Sequence, residues 1–246
     1  MGVPYLAKVL RAIEFSGTFE CAKKRASSPG KCHAILASKD VDVSQLQIEK
    51  GVAILRRGGV IAFPTDTVYG LGADAFNSRA VKRIYTIKNR PEDRKFPLLI
   101  ADVDSLTALA EPIPEIARFL AGQFWPGGLT LVIPRKDSVP RHLTSGPTIA
   151  VRIPDHPVCL ALIRRLGNPL IGTSANVSGQ PAALTAEEVR QALGEKIDLI
   201  IDGGRCPGGK ESTVVNATQE PPTVLREGVI PAGEIDKAYK EYLEAK

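Results

Sequence analysis

The stretch FPTDTVYGLGADAF, residues 63–76, holds Gly70, Gly72 and Ala75 at the G-x-G-x-x-A spacing that can wrap a dinucleotide pyrophosphate, directly behind the polar run Thr65, Asp66 and Thr67. A dinucleotide fingerprint needs its first glycine at the end of a strand, so that the phosphates meet the next helix N-terminus at once. Here residues 64–70 must be accommodated after Phe63 before the second glycine, and no acidic ribose partner follows on an apolar strand about twenty residues on. The spacing is therefore read as glycines easing a tight loop. A second glycine-rich segment, running from Gly204 through Gly209 and Lys210 to Glu211, is one residue short of a Walker A loop, and it brings a carboxylate where a hydroxyl should reach Mg²⁺. The P-loop register is rejected, and the loop is kept as an anion-facing surface.

What remains is polar groups at the edges of apolar runs. Thr65, Asp66 and Thr67 form one set; Lys88, Arg90 and Arg94 another; Thr148 and Arg152, then Thr173, Ser174 and Asn176, then Ser212, Thr213 and Arg226 complete it. Arginines that end apolar strands, Arg152 in IAVRIP and Arg226 in TVLREG, are costly to desolvate unless an anion pairs with them. No Ser-His-Asp order is present, and the three histidines, His33, His142 and His156, belong to no ligand set and are read as structural. These cations suit stabilisation of phosphate or carboxylate better than proton abstraction. Cys21, Cys32, Cys159 and Cys206 lie too far apart for a C-x-x-C zinc site or a disulfide framework, which points to a reducing, cytoplasmic setting. Any metal is expected to arrive with a substrate.

These groups must be carried by elements that the apolar pattern predicts. Ile48, Val52 and Leu55 recur at helical spacing before Gly58-Gly59; Val81, Ile84 and Ile87 do so after a cap at Asn77 or Ser78. Helical patterns also cover residues 114–124, 156–166 and 185–193, the last opened by a Thr185/Glu188 capping box. Strand-like runs cover 60–63, 97–101, 129–134, 148–153, 169–173, 197–201, 212–215 and 224–225. Ile235, Tyr239, Tyr242 and Leu243 predict a C-terminal helix packed on the body. Strands and helices alternate without strict βαβ rhythm, so the fold class is α/β with a mixed sheet.

The 246 residues carry a net charge of +5, but residues 1–33 alone contain six Lys/Arg against two Asp/Glu, whereas residues 47–233 hold 22 basic and 19 acidic side chains. The balanced body makes the basic pI weak support for nucleic-acid binding. Three parts are expected: an N-terminal extension over 1–41, a main α/β domain over 42–233 and a C-terminal helix over 234–246. The extension reads as a transit-like leader, a partly ordered appendage or an over-long gene start; no signal-peptide pattern and no membrane-length apolar run are present.

The motifs FPTDTVYGLGADA, KNRP, FWPGGLTLVI, VRIPDHP, TSANVSGQPA, IDGG…STVV and LREG occur in the order found in the threonylcarbamoyl-AMP synthases of the YrdC-like fold, which residues 47–230 resemble. The resemblance implies a twisted mixed parallel and antiparallel sheet flanked by helices, with a concave basic cleft. It implies an enzyme that joins L-threonine, bicarbonate and ATP into threonylcarbamoyl-adenylate and pyrophosphate, with Mg²⁺ accompanying ATP. A threonylcarbamoyl-transferase would then pass the group to tRNA, and weak tRNA binding is compatible with a local basic patch.

By motif, Lys88, Arg90, Ser174 and Asn176 correspond to the reacting centre. Thr67, Arg152, Gly172 and Ser212 correspond to the threonine site, with Thr65 to Gly70 as its floor and the glycines letting the chain turn beneath it. Arg90, Arg94, Thr148, Ser174, Ala182 and Arg226 correspond to nucleotide contacts. Some members have histidine where Leu99 stands, and some carry a further C-terminal domain; the chain reads as a single-domain form. Two other readings stay open: a carbamoyl-adenylate module like that of hydrogenase-maturation proteins, and an RNA-binding or ribosome-assembly module of the same fold.

Overall fold

The computed structural model describes residues 45–144 and 146–246, so the expectations placed on 1–41 lie outside the described residues. In chain order the elements are α1 (Gln45–Arg56), β1 (Ile61–Phe63), β2 (Gly70–Gly72), α2 (Ser78–Lys88), β3 (Leu98–Leu99), α3 (Glu115–Phe124), β4 (Leu129–Pro134) and β5 (Thr148–Arg152). There follow α4 (Pro157–Leu166), β6 (Leu170–Ile171), β7 (Thr173–Ser174), α5 (Ala186–Leu193), β8 (Leu199–Ile200), β9 (Thr213–Asn216), β10 (Thr223–Arg226) and α6 (Ala232–Ala245). Two short 3₁₀ turns, Asp104–Ala108 and Gly194–Lys196, have no counterpart in the apolar pattern.

Local chemistry sets the helix ends. Gly58, at φ 81°, closes α1 by donating its N–H to Leu55, and Gly59 donates back to Ile54. Asn77 caps α2 by accepting the Ala80 N–H at 3.1 Å. At α5, Thr185 accepts the Glu188 N–H, but the Glu188 carboxylate returns to the Leu184 N–H, one residue earlier than a strict capping box. Helix α6 packs on α3 through Ile235, Ala238 and Tyr242, with the Phe119 and Tyr242 rings 5.4 Å apart. Leu243, expected on that face, is exposed, because Tyr242 takes the inward position beside it.

The strands form two sheets, β7-β2-β1-β8 and β10-β9-β4-β5-β3-β6. Pairs β1/β8, β3/β5 and β4/β9 are parallel and the rest antiparallel, so the mixed character expected from the broken βαβ rhythm is present. One apolar core, including Tyr69, Leu71, Ile84, Leu98, Leu120, Leu131 and Val151, spans both sheets and α2, α3, α5 and α6. A smaller one joins α1 to α4 through Val52, Leu55, Phe63, Leu162 and Ile163. Full burial of each such aliphatic or aromatic side chain contributes roughly 1.5–3 kcal/mol.

Two sequence expectations change. Gly70 and Gly72 are in a strand, not a loop: β2 pairs with β1, and neither glycine has the positive φ that a turn would require. They are small because the Phe63 ring lies on them; a Cβ would meet that ring at 2.8 Å from Gly70 and 2.7 Å from Gly72. The apolar run 169–173 is also not one strand. It changes sheet at Gly172: β6 pairs with β3 and β7 with β2, while the Gly172 N–H donates to the Pro97 carbonyl. The resulting seam, where the two sheets meet at β2, β3, β6 and β7, underlies the site.

Candidate active site

Beyond β1 the chain folds back through Thr65-Asp66-Thr67 before entering β2. The Thr65 hydroxyl donates to the Val68 carbonyl at 2.6 Å and accepts the Thr67 and Val68 N–H groups, a side-chain turn that holds the segment without a glycine. With its proton committed, Thr65 is the acceptor for the Thr67 hydroxyl 2.9 Å away. Arg152, at the end of β5, meets this turn. Its Nε donates to the Gly127 carbonyl at 2.9 Å, Nη1 to Thr67 Oγ1 at 3.0 Å and Nη2 to Asp66 Oδ1 at 2.7 Å. Asp66 also accepts the Asp155 N–H. The guanidinium is buried and ion-paired, and two of its five N–H groups have no protein acceptor among the described residues.

The opposite wall is built from the end of α2. Asn89, at φ 49°, adopts the left-handed cap and turns the chain so that Lys88 points inward and Arg90 faces the cleft. Lys88 is buried, and all three ammonium protons are donated: to Ser174 O at 2.6 Å, and to Asn176 O and Asn176 Oδ1 at 2.8 Å each. Asn176 Oδ1 also accepts the Ser174 hydroxyl. Burial, followed by the neighbouring Arg90 charge, pushes the Lys88 ammonium down to about 8, with Glu211 acting in the opposite direction. Arg90 donates Nε to the Arg94 carbonyl and lies over the Phe96 ring at 5.0 Å. Burial and the Arg94 and Arg226 charges lower its pKa, while Tyr85 and Glu211 oppose them.

The third wall is the segment 203–212 with β4, β9 and β10. Tyr69 anchors its start: its hydroxyl donates to Gly204 O at 2.9 Å and accepts the Gly203 N–H, and burial pushes its pKa up to about 12. Gly208 lies so close over the Asp66-Thr67 backbone that a Cβ would sit 2.7 Å from Thr67 Cα. Ser212 Oγ is 2.9 Å from the buried Thr130 hydroxyl, and Arg226 donates to the Ser212 carbonyl at 2.8 Å and to Glu211 at 2.6 Å. Glu211, the residue that spoils the Walker A register, is thus a counter-ion to Arg226.

These walls enclose a cleft of about 630 Å³. Lys88, Arg90, Ser174 and Asn176 line it, as do Thr67, Arg152, Gly172 and Ser212, and also Arg94, Ala182 and Arg226. Thr148 does not. It sits at the far end of β5 from Arg152, roughly 13 Å along the strand, with its carbonyl accepting the Thr144 hydroxyl. The lining carries six Lys or Arg side chains against two carboxylates, Glu211 and Glu227. Leu99 also lines it and packs on Gly172, where a Cβ would lie 2.5 Å from Leu99 Cγ.

Sequence reasoning missed Thr130, Phe96 and Glu211 as parts of this cleft. The signal for Thr130 was present, since it is the one polar side chain in β4, LTLVIP. Among the described residues no group of three or more His, Cys, Asp or Glu converges on a metal position. His156 caps α4, His142 meets the Ala75 carbonyl, and Cys159 and Cys206 are buried free thiols with raised pKa values, all outside the cleft lining. No helix among the described residues is long and apolar enough to cross a membrane.

Residues 53–228 match the family model described as Sua5_yciO_yrdC, Telomere recombination. The chain is 45% identical over 200 residues to the threonylcarbamoyl-AMP synthase of Pyrococcus abyssi (strain GE5 / Orsay), covering 81% of this chain and 59% of the relative. It is 45% identical over 199 residues to that of Bacillus subtilis (strain 168), covering 80% and 58%. The solved structure of P. abyssi Sua5 complexed with L-threonine superposes with a TM-score of 0.76 at 45% identity, over 79% of this chain and 58% of that one. The chain therefore spans about three fifths of the length of these relatives.

Proposed function

The chain belongs to the Sua5/YciO/YrdC family, and from that premise we propose that it is an adenylate-forming enzyme that makes L-threonylcarbamoyl-AMP and pyrophosphate from L-threonine, bicarbonate and ATP. The observation that carries this reading is the convergence of an anion-ready guanidinium at Arg152 with the cationic wall of Arg90, Arg94 and Arg226 in one cleft. Arg152 has two N–H groups without a protein acceptor among the described residues, suited to the threonine carboxylate, while Thr67 offers a neutral partner beside it and Ser212 another within the same lining. The amine of threonine joins bicarbonate with loss of water to give a carbamate. A carbamate oxygen then attacks the α-phosphorus of ATP, the bond to the β-phosphate oxygen breaks, and pyrophosphate leaves.

Negative charge grows on the equatorial and leaving oxygens, and Arg90, Arg94 and Arg226 are the fixed positive charges that stabilise it. Lys88 works through others: its three donated protons hold the Ser174-Asn176 segment in shape, so its role is to position that segment and to add a nearby charge. Mg²⁺ would be carried by the ATP phosphates and would shield the leaving pyrophosphate; the two carboxylates of the lining are already engaged, Glu211 with Arg226 and Glu227 with the Ala232 N–H. The product would pass to a threonylcarbamoyl-transferase acting on tRNA in the cytoplasm.

The test is pyrophosphate release with ATP, bicarbonate and each amino acid in turn. Threonine-dependent release is expected, falling by roughly 10²-fold or more in Arg90→Ala. Release without any amino acid would replace the reading by carbamoyl-adenylate chemistry. Silence from folded protein, with RNA affinity that falls steeply with salt, would replace it by RNA binding.

A further inference from the structure

The geometry points to Thr130 as a specificity-determining residue that holds the Ser212 hydroxyl as a hydrogen-bond donor to the side-chain oxygen of a β-hydroxy amino acid. The inference rests on the reading of the cleft as an amino-acid site. Thr130 is 1% exposed in a strand whose other side chains are aliphatic or proline, a place where valine would pack equally well. Its hydroxyl has one partner among the described residues, Ser212 Oγ at 2.9 Å. The next threonine along the cleft wall is different: Thr213 donates to the Ile230 carbonyl at 2.6 Å and accepts the Gly228 and Ile230 N–H groups, so it fastens the chain after β10.

Burial favours one direction of the Thr130–Ser212 bond, in which Thr130 donates. Arg226 Nη2 is 3.4 Å from Ser212 Oγ and can only donate. If Ser212 donated to Thr130, the proton without a protein acceptor would sit on Thr130, the less exposed of the two hydroxyls, where an unmade hydrogen bond costs more. With Thr130 as donor, the free proton lies on Ser212, the more exposed of the two cleft-lining hydroxyls at 6% against 1%. Arg152 already supplies charged, forked donors suited to a carboxylate, so a neutral hydroxyl donor across the cleft matches a neutral hydroxyl on the substrate. A site built to bond a substrate hydroxyl discriminates against the isostere that lacks it.

Calorimetric titration of the full chain with L-threonine and with L-valine, for wild type, Thr130→Val and Thr130→Ser, tests this. Thr130→Val is expected to weaken threonine binding about tenfold while valine binding and the thermal unfolding midpoint stay unchanged, and Thr130→Ser to restore threonine binding. A Thr130→Val protein with wild-type threonine affinity overturns the inference, as does one that loses threonine and valine affinity equally. Failure of the wild type to bind threonine at all would instead sink the proposed function, so the two failures are distinguishable.

Discussion

Two buried cations stand on opposite walls of the cleft and are held by opposite means. Arg152 is neutralised by a carboxylate, Asp66, and among the described residues keeps two donors free, whereas Lys88 meets no carboxylate among them and its three protons end on neutral oxygens of Ser174 and Asn176. A full counter-charge lets Arg152 stay desolvated and ready for a second anion. Dipoles alone leave Lys88 with its ammonium destabilised, at about 8, and its donors saturated. Arg152 is thus placed to receive an anion, and Lys88 to hold a backbone segment in place.

The contrast is most sharply tested by Arg152→Ala. It removes the guanidinium and leaves the half-buried Asp66 carboxylate beside the Asp155 N–H without its partner. Threonine-dependent turnover should fall by 10²-fold or more, and stability by on the order of 3 kcal/mol. Adding Asp66→Ala should return most of the stability and none of the activity. A double variant as unstable as the single one would mean that Arg152 acts chiefly by packing, and the distinction between the two walls would fail. Chemical denaturation beside the pyrophosphate assay reads both quantities.

Lys88 gives the next effect, through pH. In the unfolded chain it keeps its proton to about 10.5, and in the folded protein it releases it near 8. Between these values the unfolded state binds more protons, so this group makes the folded state more stable as pH rises through the window. The neutral amine, however, has two donors for three acceptors and has lost its charge beside the reacting phosphates. Activity should therefore fall on an alkaline limb with a midpoint near 8 over the same range in which stability rises, and the limb should vanish from the residual activity of Lys88→Ala. A flat profile to pH 9.5 would show that the ammonium charge is not required.

Much of the cleft was legible in the residues. Lys88 and Arg90 stand at a helix exit limited by Pro91, and Arg152 and Arg226 end apolar strands, so all four were visible as charges at element ends. What could not be read was the pairing. The sheet change at Gly172 hides inside a run of apolar residues, because a two-residue strand has no periodicity of its own, and only the Leu99 packing shows why a glycine is needed there. Gly70 and Gly72 misled for the related reason that close approach to a ring and a tight turn select the same residue. Motif correspondence assigns Thr148 to the nucleotide, and its distance of about 13 Å along β5 from Arg152 is not something a motif displays. Glu211 looked like an error in a phosphate loop, and its ion pair with Arg226 is a long-range contact that no local pattern announces.

That ion pair lets the comparison be tuned instead of broken. Glu211 and Arg226 have partly exposed side chains, 36% and 46%, so Glu211→Gln should change stability by less than about 1 kcal/mol. Its electrostatic effect should still be measurable. The carboxylate is the group that raises the Lys88 pKa against burial and Arg90, so its removal should move the alkaline limb of activity below 8. The same change frees an Arg226 donor and makes the cleft more positive, so ATP should bind about threefold more tightly and with steeper salt dependence. An ATP affinity lowered by Glu211→Gln would mean that the carboxylate aims Arg226 at the nucleotide, whereas tighter binding with a shifted limb would identify Glu211 as the counter-ion that an incoming phosphate replaces.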